Sequence, residues 1–500
     1  MAPLITVQLL TLDALGLAEL LNNGKLTIVA LVEQVLSQID HEDKAGAKLN
    51  AVLNVAPRDI LLQTASQLDD ERKKGKLRSP YHGIPILIKD AIATHPDLGM
   101  PSTVGSFALL SSKPAQNAGI VDELIKKGLI ILAKTNLNEG EAPIGHTSPL
   151  GSSTGSAVGV SAGYSPLSLG TETDGSLVQP AGRAALFALK PTVGSTDLTG
   201  VWTLSLSFDS AGAMAKSIVD LAFTTELLHT QEVRAKLPKD GYTSFLTKTF
   251  QGLKVGFLDP AVWHFPPRMC PQIPSVNSAY MNAIDKIRKA GAEVQYPVEL
   301  PTFDKWMIAD NQTAMSVIMF HDYKRNVDQY LSNLETSEVR SLKELIEWNK
   351  AHADIELPYV MRRPKKQGSS FRRSRLRKAS TSCLSTRVSI SSASHKTARY
   401  RAWPLRPVSE SIFGFSGMYL DLIRQLRYPL ATMPLGVLDN IGRPFALAIM
   451  ARAGRGDLIF KFISAFEEAF PKRQIPPKLV RGDEEVKPII ESRISSNGLL

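Results

Sequence analysis

Short apolar runs of strand length alternate with segments of helical period along most of this chain, and that alternation restricts the fold more than any other feature. The runs are Ile84–Ile88, Leu129–Ala133, Tyr164–Leu169, Ala184–Leu189, Leu253–Leu258, Tyr428–Leu438 and Phe445–Met450. Between them lie helical patterns over Ile120–Lys127, Ser156–Gly163, Ser275–Ala290 and Asp457–Ala469. Strands with few polar positions must be covered on both faces, so the pattern predicts an α/β fold with helices on each side of a sheet. Five hundred residues at 43% apolar content supply ample core for one large domain. Residues 1–75 read as helical: Ile28, Leu31, Val32, Val35, Leu36 and Ile39 recur at helical spacing, with Thr27 placed to cap. On Ile120–Lys127, Asp122–Lys126 and Glu123–Lys127 are expected as supporting i,i+4 pairs.

Several classes of function fall away. No apolar stretch approaches the roughly 20 residues of a membrane helix. The apolar N-terminal stretch Ile5–Leu21 contains Asp13 and Glu19 and has no basic leader, so it reads as an amphipathic helix, not a secretion signal. Only Cys270 and Cys383 occur, which favours a reducing, cytoplasmic setting without a disulfide framework. No histidine or cysteine spacing calls for a metal. The net charge of +10 belongs to one segment: Met361–Arg406 holds 14 Lys/Arg and no Asp/Glu, and elsewhere 44 basic side chains face 48 acidic ones. That segment also scatters ten serines and has no apolar period. A nuclear-localisation or nucleic-acid patch is outweighed by two other readings, a solvated disordered loop or a stretch translated in the wrong frame or through an unspliced intron. No nucleic-acid partner and no membrane span are expected.

The chemistry rests on a lysine and two serine-bearing loops. Lys89 ends the apolar run of His82-Gly83-Ile84-Pro85-Ile86-Leu87-Ile88-Lys89-Asp90, where an isolated ammonium is costly unless paired or neutralised. The loops are Gly151-Ser152-Ser153-Thr154-Gly155-Ser156 and Gly170-Thr171-Glu172-Thr173-Asp174-Gly175-Ser176. Taken singly, Lys89 is an ordinary structural lysine and the first loop a flexible linker. The first loop lacks the Gly-Lys-Ser/Thr ending of a phosphate-binding loop, and the second lacks the terminal acid of a calcium loop. Serine attacks an amide only with a base beside it, and a neutral lysine can be that base.

Taken in order, these motifs, followed by Pro180-Ala181 and Leu189-Lys190-Pro191-Thr192, resemble the amidase signature family, in a style similar to the fungal and plant general amidases. The resemblance extends to Tyr428–Arg443 and implies one α/β/α domain around a mixed sheet. It divides the chain into an N-terminal helical region (1–75), the catalytic core (76–360), the basic segment (361–410) and the C-terminal part of the same domain (411–500). It implies hydrolysis of a small-molecule carboxamide through a seryl acyl-enzyme, with no cofactor and no metal. Carried over, the nucleophile falls on Ser176, the bridging serine after a cis peptide on Ser152, and the base on Lys89. The oxyanion donors are the N–H groups of Thr173, Asp174, Gly175 and Ser176, with Ser153 and Thr171 in support.

The chain also departs from that pattern. Glu172 stands for the usual aspartate and Val178 for the arginine that often pairs with it, so a rewired support is expected; Arg183 is the nearest arginine downstream. The Glu139–Ser152 stretch is shorter than its counterpart, which forms part of the active-site wall. Two further readings follow: a catalytically impaired amidase-like protein, a pseudoenzyme or a defective gene product; and, more remotely, the A-type subunit of a tRNA-dependent amidotransferase. Substrate identity and oligomeric state are not legible.

Overall fold

The computed structural model describes residues 6–137, 150–262, 274–299, 314–356, 411–416 (backbone), 427–438 and 442–480. The chain divides into two compact units, Met1–Ile346 with Glu410–Leu500, and Glu347–Ser409. The described part of the second unit is short: the end of the Leu342–Ala351 helix and the turn Ala353–Glu356, where Trp348 stacks on His352 at 4.0 Å. The Met361–Arg406 segment lies outside the described residues.

The first unit is built on one large mixed sheet. Its strands are β1 (Val52–Val55), β2 (Pro85–Lys89), β4 (Ile130–Thr135), β5 (Leu167–Glu172), β6 (Phe187–Lys190), β7 (Ser210–Ala215), β8 (Lys254–Phe257), β9 (Glu293–Gln295), β11 (Ser411–Ser416), β12 (Leu430–Val437) and β13 (Pro444–Met450). β3 (Lys113–Pro114) and β10 (Leu334–Thr336) form a separate antiparallel pair. The large sheet runs β1-β4-β2-β5-β7-β6-β12-β13-β11-β8-β9. β2 lies parallel to β4 and β5, and β8 parallel to β11 and β9; the other ladders are antiparallel.

The period of two along the strands sorts side chains between two helical layers. Phe187, Leu189, Ala213 and Ala215 join the main core with Leu221 and Leu228 of the Ile218–Leu228 helix. Ala188 and Met214, opposite each other across the β6–β7 ladder, instead meet Ala157 and Val160 of the Thr154–Ser161 helix and Ala181 of the Val178–Arg183 helix. Both faces are therefore covered, as the apolar runs require. In β2 all five residues are buried.

Each apolar run of the sequence lies on a strand, with ends shifted by a few residues. Two expectations fail. The first 75 residues are not all helical, because Val52–Val55 pairs antiparallel with β4 as an edge strand. The i,i+4 pairs on the Gly119–Lys126 helix also do not form as expected. Glu123 pairs with Arg234 and with Lys126, and Asp122 accepts from Asn117 Nδ2 at 2.7 Å. An exposed i,i+4 pair contributes only ~0.2–0.5 kcal/mol, so a tertiary partner within reach displaces it.

The N-terminal helices are locked by carboxylates. Thr27 caps the Ile28–Glu42 helix through Ala30 N (3.1 Å), and Asp69 accepts from Ile28 N and Val29 N. Asp220, fully buried, accepts from Ala14 N (2.7 Å), Leu15 N (3.2 Å) and Tyr81 Oη (2.7 Å). It thereby fastens the start of the Ala14–Asn22 helix, where the helix dipole favours an anion. Burial, with the Asp13 charge added, pushes its carboxyl up to about 7.

Candidate active site

Lys89 ends β2, the strand held between β4 and β5, so its ammonium leaves the buried sheet at the strand's carboxyl end. Only 3% of the residue is exposed. Its Nζ donates to Ser152 Oγ at 2.7 Å and to Thr171 Oγ1 at 2.9 Å, with Thr171 O at 3.4 Å. Thr171 belongs to β5, whose pairing with β2 brings it alongside Lys89. Ser152 precedes the Thr154–Ser161 helix and follows a cis Gly151–Ser152 peptide.

The two serine loops are tied together through backbone. Ser153 N donates to Ser176 O at 2.9 Å. Ser153 Oγ donates to Thr171 O at 3.1 Å and accepts from Thr171 N at 3.3 Å. This approach explains Gly170: a Cβ there would lie 2.6 Å from both Ser153 Oγ and Leu177 Cδ1. Ser176 stands in the turn between β5 and the Val178–Arg183 helix, a turn that uses φ +80° at Gly175. Among the described residues, the N–H groups of Thr173, Gly175 and Ser176 donate to no other residue.

Lys89, Ser152, Thr171, Thr173 and Ser176 line one cleft of about 460 Å³, its open mouth included. Among the described residues no hydrogen bond joins the Ser152 and Ser176 hydroxyls. Catalytic hydrogen bonds are often long without substrate and tighten when it binds.

Behind the loop Glu172 is held by backbone donors. Glu172 Oε2 accepts from Leu177 N (2.9 Å) and Val178 N (3.0 Å) at the start of the Val178–Arg183 helix. Val178 packs with Leu258, Leu430 and Met450, so an arginine could not be accommodated there unchanged. The buried Lys190 lies within electrostatic reach of Glu172. Its burial drives the ammonium pKa down, while the charges of Glu172 and Asp209 oppose that shift.

Asp209 was not legible in the sequence, where it stands alone between Phe208 and Ser210 without a motif. It lines the cleft, takes the Thr173 hydroxyl at 2.5 Å, and accepts from Leu204 N (2.5 Å) and Ser205 N (3.1 Å). Burial pushes its carboxyl up to about 6, although these donors and the Lys89 charge pull it down. Of the Glu139–Ser152 stretch, residues 139–149 lie outside the described residues.

The family model for Amidase matches residues 30–382. Over 95% of this chain and 88% of its own length, a "putative amidase" of Schizosaccharomyces pombe is 27% identical. A "probable amidase" of Arabidopsis thaliana is 32% identical over 70% of each protein. Among solved structures, the native peptide amidase of Stenotrophomonas maltophilia superposes with a TM-score of 0.72 at 28% identity, covering 93% of this chain and 98% of that one. Among the described residues no helix is long and apolar enough to cross a membrane.

Proposed function

The chain belongs to the amidase family, and we propose that it hydrolyses a linear carboxamide to a carboxylate and ammonia or an amine through an acyl-enzyme on Ser176. The observation that carries this reading is the 2.7 Å bond from Lys89 to Ser152 in the cleft that Ser176 also lines. Ser176 Oγ attacks the carbonyl carbon as its proton passes to Ser152, whose own proton passes to neutral Lys89. The oxyanion is met by N–H groups of the Thr173–Ser176 turn, each such donor contributing ~10²–10³ in rate. When the C–N bond breaks, the relay runs backward and protonates the leaving nitrogen. Water then attacks the ester carbonyl by the same route, and Ser176 is released.

The relative of solved structure is a peptide amidase, which makes a peptide's amide one candidate substrate. A reducing, cytoplasmic setting belongs to the same reading, on the two widely spaced cysteines.

Labelling with a serine-directed fluorophosphonate tests the proposal. The expected adduct sits on Ser176 and disappears in Ser176→Ala. Folded protein that takes no label would establish an impaired relative instead. Ammonia released from glutamine only with a second subunit present would point to an amidotransferase.

A further inference from the structure

The residues that line the cleft restrict what can lie against Ser176. Its apolar lining includes Val104, Leu137, Leu198, Val201, Trp202 and Leu204. The charged side chains that reach the cleft, among the described residues, are Lys89 and Asp209. Lys89 donates to Ser152 and Thr171, and Asp209 accepts from Thr173, Leu204 and Ser205. The remaining lining is apolar or hydroxylic. We propose that this enzyme selects amides whose acyl part is bulky and apolar, an aryl or branched alkyl group, and that Trp202 is the residue that selects it. The assignment rests on the hydrolytic reading above.

Two stretches of this lining, around Trp202 and around Val104, are built to hold their shape. Trp202 is fixed at the backbone by donation to Ala91 O at 2.8 Å. Its ring meets Tyr330 edge to face, with centroids 5.2 Å apart and planes at 71°, the favoured geometry for such pairs. Tyr330 belongs to the Ala314–Ser332 helix, and the same helix grips residues that follow Trp202. Asp322 accepts from Ser205 Oγ (2.6 Å) and Ser207 Oγ (3.0 Å), and Asn326 Nδ2 donates to Leu204 O (3.3 Å). Asp322 and Asn326 are both buried.

The stretch around Val104 shows the same design. Val104 has φ +52°, a left-handed conformation that a β-branched residue rarely takes and that persists only where its surroundings impose it. Here they do. Asp90 accepts from Thr103 N, Thr103 Oγ1 and Gly105 N on either side of Val104, and the buried Lys134 ammonium lies 3.9 Å from Asp90. Two buried carboxylates, Asp90 and Asp322, thus anchor two stretches of the apolar lining. A cleft with such a lining discriminates by how well the acyl group packs against it, each methylene contributing ~10–200-fold in kcat/KM.

The experiment compares kcat/KM for acetamide, lactamide, isobutyramide and benzamide in wild type, Trp202→Ala, Trp202→Phe and Asp322→Asn, with Ser176 labelling by a fluorophosphonate as a common control. Benzamide and isobutyramide should exceed acetamide by ~10-fold or more. Trp202→Ala should abolish most of that preference, lowering kcat/KM for benzamide and isobutyramide ~10-fold more than for acetamide, and Trp202→Phe should retain it. Asp322→Asn acts at one remove, as a positioning residue. It should raise KM for benzamide ~10-fold, with kcat and the labelling rate of Ser176 unchanged. Labelled enzyme that prefers acetamide or lactamide, or a Trp202→Ala loss equal for all four amides, overturns the pocket assignment alone. Folded protein that neither labels nor turns over any amide overturns the hydrolytic reading and this assignment with it.

Discussion

The lysine ammonium at the end of β2 has two close partners, and they have different meanings. In the proposed relay the hydroxyl of Ser152 leads to the nucleophile; that of Thr171, on the neighbouring strand, accepts from the ammonium beside it. If Lys89 and Ser152 act as one relay, their effects do not add. Lys89→Met and Ser152→Ala should each lower kcat/KM by ~10²–10⁴, and the double variant should lose less than ~10-fold beyond the worse single one. Steady-state kinetics on the three proteins checks this; losses that multiply would mean the two residues serve separate steps. The sequence placed Lys89, Ser152 and Ser176 because each stands in a motif whose order is itself informative. Asp209 has no such neighbourhood, and its role becomes visible only when the chain brings it against Thr173 and Lys89.

At the scale of elements, the β7 strand and the loop before it set the electrostatics of the cleft. Asp209, with a carboxyl up at about 6, is ionised above that pH, and its anion favours the charged form of Lys89. Asp209→Asn removes that influence, so Lys89 should lose its proton more readily. The acid limb of the kcat/KM profile should move to lower pH. A limb that stays in place, or moves to higher pH, would show that Asp209 does not act on the base. The strands themselves were legible where branched apolar residues cluster, as in Ile84–Ile88. β7, Ser-Ala-Gly-Ala-Met-Ala, was not, because small residues carry no strand signature. Val52–Val55 was missed for a related reason: Asn54 interrupts it, and edge pairing with β4 makes it a strand. The Trp202–Tyr330 and Ser205–Asp322 contacts join residues more than a hundred positions apart, which no local pattern encodes.

Across the whole molecule, stability near neutral pH depends on where the N-terminal helix is fastened. Asp220 has its carboxyl at about 7 in the folded chain against an ordinary 3.8, so the folded state keeps a proton that the unfolded state releases between those values. The stability it contributes is full below pH ~4 and declines as pH rises through 7. Asp220→Asn keeps a neutral side chain at every pH and loses part of the bonding to Ala14, Leu15 and Tyr81. Its deficit against wild type in thermal unfolding should therefore be larger at pH 5 than at pH 8. A deficit that grows with pH would show that the ionised carboxylate is the stabilising form.

The sheet order also has a consequence for how the chain is made. β6 pairs with β12, Leu189 opposite Ala431, although about 240 residues separate them. At ~5–20 residues per second, a ribosome that has just released β6 takes on the order of 10–50 s to supply the strand that covers it. During that interval a buried, central strand of the finished protein is an open edge, with unpaired backbone groups able to recruit another nascent chain.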